Sequence, residues 1–169
     1  MSDVELGEAF VGSGAEAAHI NTVLGRRDGP VGTAWATALA TPSTGHAPFV
    51  AVVQPGLPAK PLTLFVNKAA IAGERHARLT WGAAQAGVAS GVADAVADGS
   101  IASGDVDRLA LICAVWVDPD AADAQAVYAN NRAATRAALE NGHRRRPLLS
   151  DVLAARSNPW NPFFSAPKA

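Results

Sequence analysis

The order of apolar and polar positions divides the chain into short strands and two long helical stretches. Residues 3–11 read as a first strand, and Gly12-Ser13-Gly14 as the turn that follows it. Over residues 16–24, His19, Ile20, Asn21, Thr22 and Val23 favour strand over helix. Gly25 and Asp28-Gly29-Pro30 also leave too little room for a helix after Gly14. Alternation along this second strand puts Ala18, Ile20 and Leu24 on an apolar face, and Ala17, His19, Asn21 and Val23 on the opposite one. Pro30 opens a short helix to about Leu39. Pro48–Gln54 predicts a strand, Pro55–Pro61 a constrained loop and Leu62–Ala70 another strand whose Leu62, Leu64, Val66, Lys68 and Ala70 share a face. A long helix follows Gly73 and ends at Gly99, with Ala84, Val88, Val92 and Val96 recurring every four residues as one apolar stripe. The nearly unbroken apolar run Arg108–Val117 predicts a central strand. Asp118 and Pro119 are the expected cap and first residue of a helix reaching about Asn141 before Gly142. Leu148–Ala155 predicts a last short helix, and the proline-bearing tail 158–169 an extended segment.

Strands and helices in an order that is not a simple alternation point to an α+β fold, a two-layer sandwich. The length of 169 residues suits one domain, and a hydrophobic fraction of 49% supplies its core. A net charge of −1 gives no reason to expect a nucleic-acid or membrane-surface partner. Residues 29–59 lack charged side chains but are broken by five prolines, so they do not read as a membrane span. With Cys113 as the one cysteine there is no intramolecular disulfide, and with no signal-like N-terminus the expected compartment is the cytoplasm. Cys113, among apolar neighbours in the central strand, is expected to be a buried, inert thiol.

Gly12-Ser13-Gly14 with Ala17 fits the spacing of a dinucleotide-binding turn, but that fingerprint needs a following helix and an acidic residue about 20 positions on. Neither is present, so the glycines are read as a hairpin turn. Attention then moves to His19, which is either a hydrogen-bonded structural histidine or a site residue. Lys68, ending an apolar row, either snorkels to solvent or puts a charge at a pocket rim. Gln85, on the long helix, is either surface or a donor–acceptor for a heteroaromatic edge. Trp35, Trp81 and Trp116 are expected in the core, and Trp160 against a neighbouring subunit. The His143-Arg144-Arg145-Arg146 run complements a helix C-terminus, or meets an anionic cofactor tail or nucleic acid.

Four stretches carry a family resemblance: GEAFVGSGAEAAHI (7–20), GLPAKPLTLFVNKA (56–69), AAQAGVASGVADAVADG (83–99) and VWVDPDAADAQAVYANNRAAT (115–135). In this order they resemble the formaldehyde-activating enzyme family over about residues 4–142, within a single domain of residues 1–169. The tail 143–169 diverges, apart from Asn161-Pro162-Phe163. The resemblance implies a fold like the second domain of ribosomal protein S5, a cytoplasmic homopentamer and a pterin site between subunits. It implies the condensation of formaldehyde with tetrahydromethanopterin, or a folate analogue, as co-substrate, giving the methylene derivative and water. No metal is implied, and the setting is the one-carbon metabolism of methylotrophs and methanogens. By position, His19 is the implied general acid, and Asn21, Val50, Lys68, Ala70 and Gln85 fall on pterin-contacting positions.

The chemistry accounts for the histidine. An amine adds to formaldehyde to give a carbinolamine, whose hydroxide leaves poorly without a proton donor, and an imidazole titrating near neutrality suits that task. Two positions depart from the family: Asn21 stands where it has aspartate, and Ala70 where it has threonine. Val50 for leucine is milder. Losing one charge-assisted and one neutral hydrogen bond costs about 2–4 kcal/mol, or about 30- to 1000-fold. Two other readings therefore stand beside the active enzyme. One is a paralogue that binds a pterin or folate, or senses formaldehyde, with little turnover. The other is a structural pentamer with a vestigial pocket.

Overall fold

The computed structural model describes residues 4–162 and 164–165. Asp3 of the expected first strand and Phe163 and residues 166–169 of the tail lie outside them. The frame is a five-stranded sheet in the order β1-β2-β7-β6-β3. Strands β1 (Val4–Val11) and β2 (Ala18–Arg26) form the expected hairpin, joined by a short 3-10 turn at Gly14–Glu16. Gly12 and Gly14 both have positive φ, the conformation a β-carbon disfavours, which is their role here. β7 (Leu109–Trp116) is central, antiparallel to β2 and parallel to β6 (Leu62–Asn67). β3 (Pro48–Val50) closes the far edge.

One sheet face carries the core. Ala18, Ile20, Phe65, Cys113 and Val115 project from it against Val88, Val127, Ala134 and Ala138 of the two long helices. These are α3 (Gln85–Ala97) and α4 (Ala124–His143), which follow the shorter α1 (Pro30–Ala40) and α2 (Gly73–Arg78). The α3–α4 contact depends on small residues. A β-carbon on Gly91 would lie 2.6 Å from the Arg132 carbonyl oxygen, and one on Gly87 2.5 Å from that of Tyr128. The outer edge of this contact is latched by Arg132, whose guanidinium donates to both oxygens of Asp94, and by Arg136 on Asp98. No helix among the described residues is long and apolar enough to cross a membrane.

Four departures from the sequence reading have physical causes. The strand expected over Pro48–Gln54 breaks at the buried Ala51. β3 stays in the sheet, while β4 (Val52–Gln54) leaves it to pair with β5 (Leu57–Pro58). The Gln85 side chain captures Val52, accepting from its N–H at 3.0 Å and donating to its carbonyl at 3.0 Å, and so peels the backbone off β6. The long helix after Gly73 contains a wide π-helical turn at Leu79–Ala84, which leaves Trp81 49% exposed rather than in the core. From the end of that turn the expected stripe holds: Ala84, Val88 and Val92 are fully buried and Val96 partly so. α4 starts at Ala124, not at Asp118-Pro119. Asp123 caps it by accepting from the Gln125 and Ala126 amides, while Glu16 accepts from Ala122 and holds the preceding turn. Trp35 and Trp116 also differ from expectation, being only half-buried, while Trp160 is exposed on the single chain.

The tail adds α5 (Leu149–Ala155) and the small hairpin of β8 (Trp160–Asn161) and β9 (Phe164–Ser165). The basic run at 143–146 ends α4, where His143 faces Glu5, Arg144 bridges Glu140 at 3.0 Å and Arg146 lies near Asp151. Local acids thus face three of the four side chains of the run, all but Arg145.

Candidate active site

The sheet face opposite the long helices carries a cleft of about 820 Å³. Its floor follows from strand alternation. In the β1–β2 register Glu8 lies opposite Asn21 and Phe10 opposite His19, so all four side chains leave the sheet on one side. Across β2, Trp116 pairs with His19 and Ala114 with Asn21. Lys68 follows directly on β6, its amide still donating to the Val115 carbonyl at 2.8 Å. Its side chain must cross β7 to reach β2, a span of roughly 10 Å at the usual strand spacing. Ala114, the small residue paired with both Asn21 and Val66, leaves that path open. The outer wall is the tail, through Trp160, Asn161 and Pro162.

Two polar contacts organise the floor. The His19 imidazole meets Glu8 through Nε2 and Oε1 at 3.0 Å. Lys68 Nζ donates to Asn21 Oδ1 at 2.8 Å. The Phe10 ring flanks His19 with centroids 6.2 Å apart. Burial, and then the Lys68 charge, push the His19 pKa below its ordinary value, while the carboxylate and hydrogen bond of Glu8 act the other way. Burial likewise pushes the Lys68 pKa down, against the upward pull of Cys113 and Glu8. The result is an imidazole poised between a cation that disfavours its charged form and a carboxylate that favours it.

The structure brings together three of the residues singled out in the sequence: His19, Asn21 and Lys68. The other three lie apart from them. Val50 is half-buried on the edge strand β3, and Ala70 is exposed beyond the end of β6, beside Gly45. Gln85 is buried, with both amide atoms committed to Val52. Sequence reasoning missed Glu8, Phe10 and the pocket role of Trp116 and Trp160. The signal for Glu8 was its place two residues from Phe10 in a strand ending at the glycine turn. The register that sets it opposite Asn21 depends on the 3-10 turn and was not available beforehand. Nothing in the spacing of the tail signalled that Trp160 returns to the sheet.

Of the other histidines, His76 is structural: its Nδ1 accepts from the Ala72 amide and its Nε2 donates to the Val117 carbonyl. Cys113 is fully buried, and burial pushes its thiol pKa up to about 12, which makes it inert as expected.

The fold and site together define a mixed α/β protein with an acid–base pocket built on an open sheet face. The chain belongs to the formaldehyde-activating enzyme family, whose model matches residues 6–164. It is 41% identical over 158 residues to the 5,6,7,8-tetrahydromethanopterin hydro-lyase of Methanosarcina barkeri, covering 94% of this chain and 89% of that protein. It is 40% identical over 165 residues to the bifunctional enzyme Fae/Hps of Methanosphaera stadtmanae, covering 97% of this chain. The bifunctional enzyme Fae/Hps of Archaeoglobus fulgidus is 36% identical over 161 residues. The chain spans 41% of the length of each of these two bifunctional relatives.

Proposed function

We propose that this protein condenses formaldehyde with tetrahydromethanopterin to give 5,10-methylene-tetrahydromethanopterin and water, with His19 as the general acid. The observation that carries the reading is the His19–Glu8 contact on the floor of a cleft large enough for a pterin ring. The pterin amine attacks formaldehyde, and the oxygen takes a proton to become a carbinolamine. The imidazolium form of His19 protonates the departing hydroxyl, and water leaves as the iminium forms. The second pterin nitrogen then closes the ring, an intramolecular step that orientation favours. Glu8 holds the Nε2 side of the imidazole and offsets part of the cost of charging it beside Lys68.

In this reading Lys68 and Asn21 meet the polar edge of the pterin, and Phe10, Trp116 and Trp160 offer the ring aromatic surface. Val50 and Ala70 contribute from the sheet edge across a subunit boundary in a cytoplasmic homopentamer with the S5 domain 2 topology. Gln85 supports the site by holding the bend that carries Val50. A folate analogue is the alternative co-substrate. The second reading, a pterin-binding or formaldehyde-sensing paralogue with little turnover, is favoured by Asn21 and Ala70.

The test is methylene-tetrahydromethanopterin formation above the spontaneous rate, by the purified protein and by its His19→Ala variant. Acceleration that His19→Ala abolishes is expected. No acceleration with pterin binding intact replaces the first reading by the second, and an unimpaired His19→Ala variant removes the acid role.

A further inference from the structure

Among the described residues, Lys68 Nζ has Asn21 Oδ1 as its one hydrogen-bond partner, at 2.8 Å, and no carboxylate within 4.0 Å. An amide oxygen differs from a carboxylate in one decisive way. It carries no full charge, so it orients the nitrogen while stabilising the ammonium far less than a carboxylate would. The same nitrogen is half-buried, and it shares its cleft with His19, whose charged form its own charge opposes. Such surroundings favour a lysine that attacks carbonyl carbon: partial desolvation and an acid in reach.

We propose that Lys68 is itself a formaldehyde-capturing nucleophile, which holds the one-carbon unit covalently before passing it to the pterin. This rests on the reading of the cleft as a formaldehyde site. The neutral Nζ adds through its lone pair to the carbonyl carbon, and the C=O π pair moves to oxygen. The nitrogen loses a proton and the oxygen gains one, giving a neutral carbinolamine. A proton from His19 lets water depart, and the nitrogen lone pair forms the C=N bond of a methylene-iminium on Nζ. A secondary amine of the pterin then adds to that carbon and its proton passes to Nζ. The C–Nζ bond breaks with its electron pair staying on Nζ, Lys68 leaves as the neutral amine, and the pterin nitrogen's lone pair forms the C=N bond of the iminium that ring closure consumes. Carbon keeps its oxidation state throughout, and no further reactant is needed. Glu8, which faces both His19 and Lys68, balances the positive charge of the adduct.

The sequence contains three lysines: Lys60, Lys68 and Lys168. Lys60 is an internal reference, because it is exposed and paired with the Asp107 carboxylate. The full chain is exposed to isotopically labelled formaldehyde and cyanoborohydride at neutral pH, and the methyl-lysines are mapped by mass spectrometry. In parallel, condensation with tetrahydromethanopterin is timed. Lys68 is expected to label several-fold faster than Lys60, and more slowly in Asn21→Asp, where an isosteric carboxylate holds the ammonium. Labelling of Lys68 should also slow in His19→Ala, and pterin added before the reductant should protect Lys68 by drawing off the adduct. Condensation with Lys68 labelling no faster than Lys60, or indifferent to Asn21→Asp, overturns the capture and leaves the enzymatic reading standing. Selective labelling that pterin does not discharge, without condensation, overturns the transfer to the pterin and the enzymatic reading together, leaving Lys68 only an adduct-forming amine. Neither selective labelling nor condensation overturns both.

Discussion

Glu8→Gln is the sharpest probe of how the pocket sets its acid. The variant keeps an oxygen to accept from His19 Nε2 and so keeps the ring in place, but removes the negative charge. Opposite charges about 4 Å apart attract by about 4 kcal/mol at a near-surface dielectric of 20 and about 1 kcal/mol in water. The two side chains are 39% and 59% exposed, which puts the pair near the watery limit, at about 0.5–1 kcal/mol. Since about 1.4 kcal/mol corresponds to one pH unit, the His19 pKa is expected to fall further, by the loss of the Glu8 charge. The sign follows from the chemistry. A general acid works while protonated, so activity is lost as pH rises through its pKa. A lower pKa moves that loss to more acid pH. The existing downward push from burial and Lys68 is then opposed by less. On the falling limb the variant should be about 2.5- to 5-fold slower than the parent, with a smaller difference on the acid side. The assay is stopped-flow formation of methylene-tetrahydromethanopterin, corrected for the spontaneous reaction, from about pH 5 to 9. High salt should shrink the shift, because the pair is solvent-exposed. A limb that stays in place, or moves to more alkaline pH, refutes the assignment of His19 as the acid tuned by Glu8.

Lys68→Met removes both the proposed carrier and the opposing charge, so the condensation rate should fall and the residual activity should have its limb at more alkaline pH. A limb shifted in the acid direction contradicts the electrostatics. Asn21→Asp with Ala70→Thr should tighten pterin binding, with about 2–4 kcal/mol, or about 30- to 1000-fold, as the ceiling. Unchanged kinetics and affinity would show that those positions do not limit the protein. Trp160→Ala strips an exposed aromatic wall and should raise KM about 2- to 10-fold with kcat nearly constant. A loss confined to kcat argues against a binding role. Gly91→Ala drives a methyl against the Arg132 carbonyl at 2.6 Å and should destabilise the fold by about 1–3 kcal/mol in urea unfolding. A neutral result would mean that α3 and α4 separate easily.

The central elements were legible because their signals are local. Leu109–Val117 is apolar throughout and supplied β7, and the alternation of residues 17–24 set His19 and Asn21 on one face. The errors arose where one side chain overrides the local pattern. Val52 has every attribute of a strand residue, yet the Gln85 amide takes its backbone out of the sheet. Asp118-Pro119 looks like a helix start, but Ala121 is needed in the core and Glu16 holds the loop, so the helix waits for Asp123. The pocket was half legible for the same reason. His19 and Lys68 are marked by their own strands, whereas Glu8 joins them only through the hairpin register and Trp160 only through the return of the tail.

The burial of Cys113 has a further consequence for a protein whose proposed substrate is an electrophile that modifies proteins indiscriminately. Thiols and free amines are the groups formaldehyde attacks and bridges. The one thiol in the sequence is shut inside the central strand and kept protonated. There are three lysines, and the other eleven basic side chains are arginines, whose guanidinium groups stay protonated. Of the described lysines, Lys60 is tied to Asp107, leaving the pocket lysine as the amine without a carboxylate partner. Among the described residues the exterior thus offers the proposed substrate few amines and no thiol, and adducts and cross-links there should accumulate slowly while the cleft keeps working.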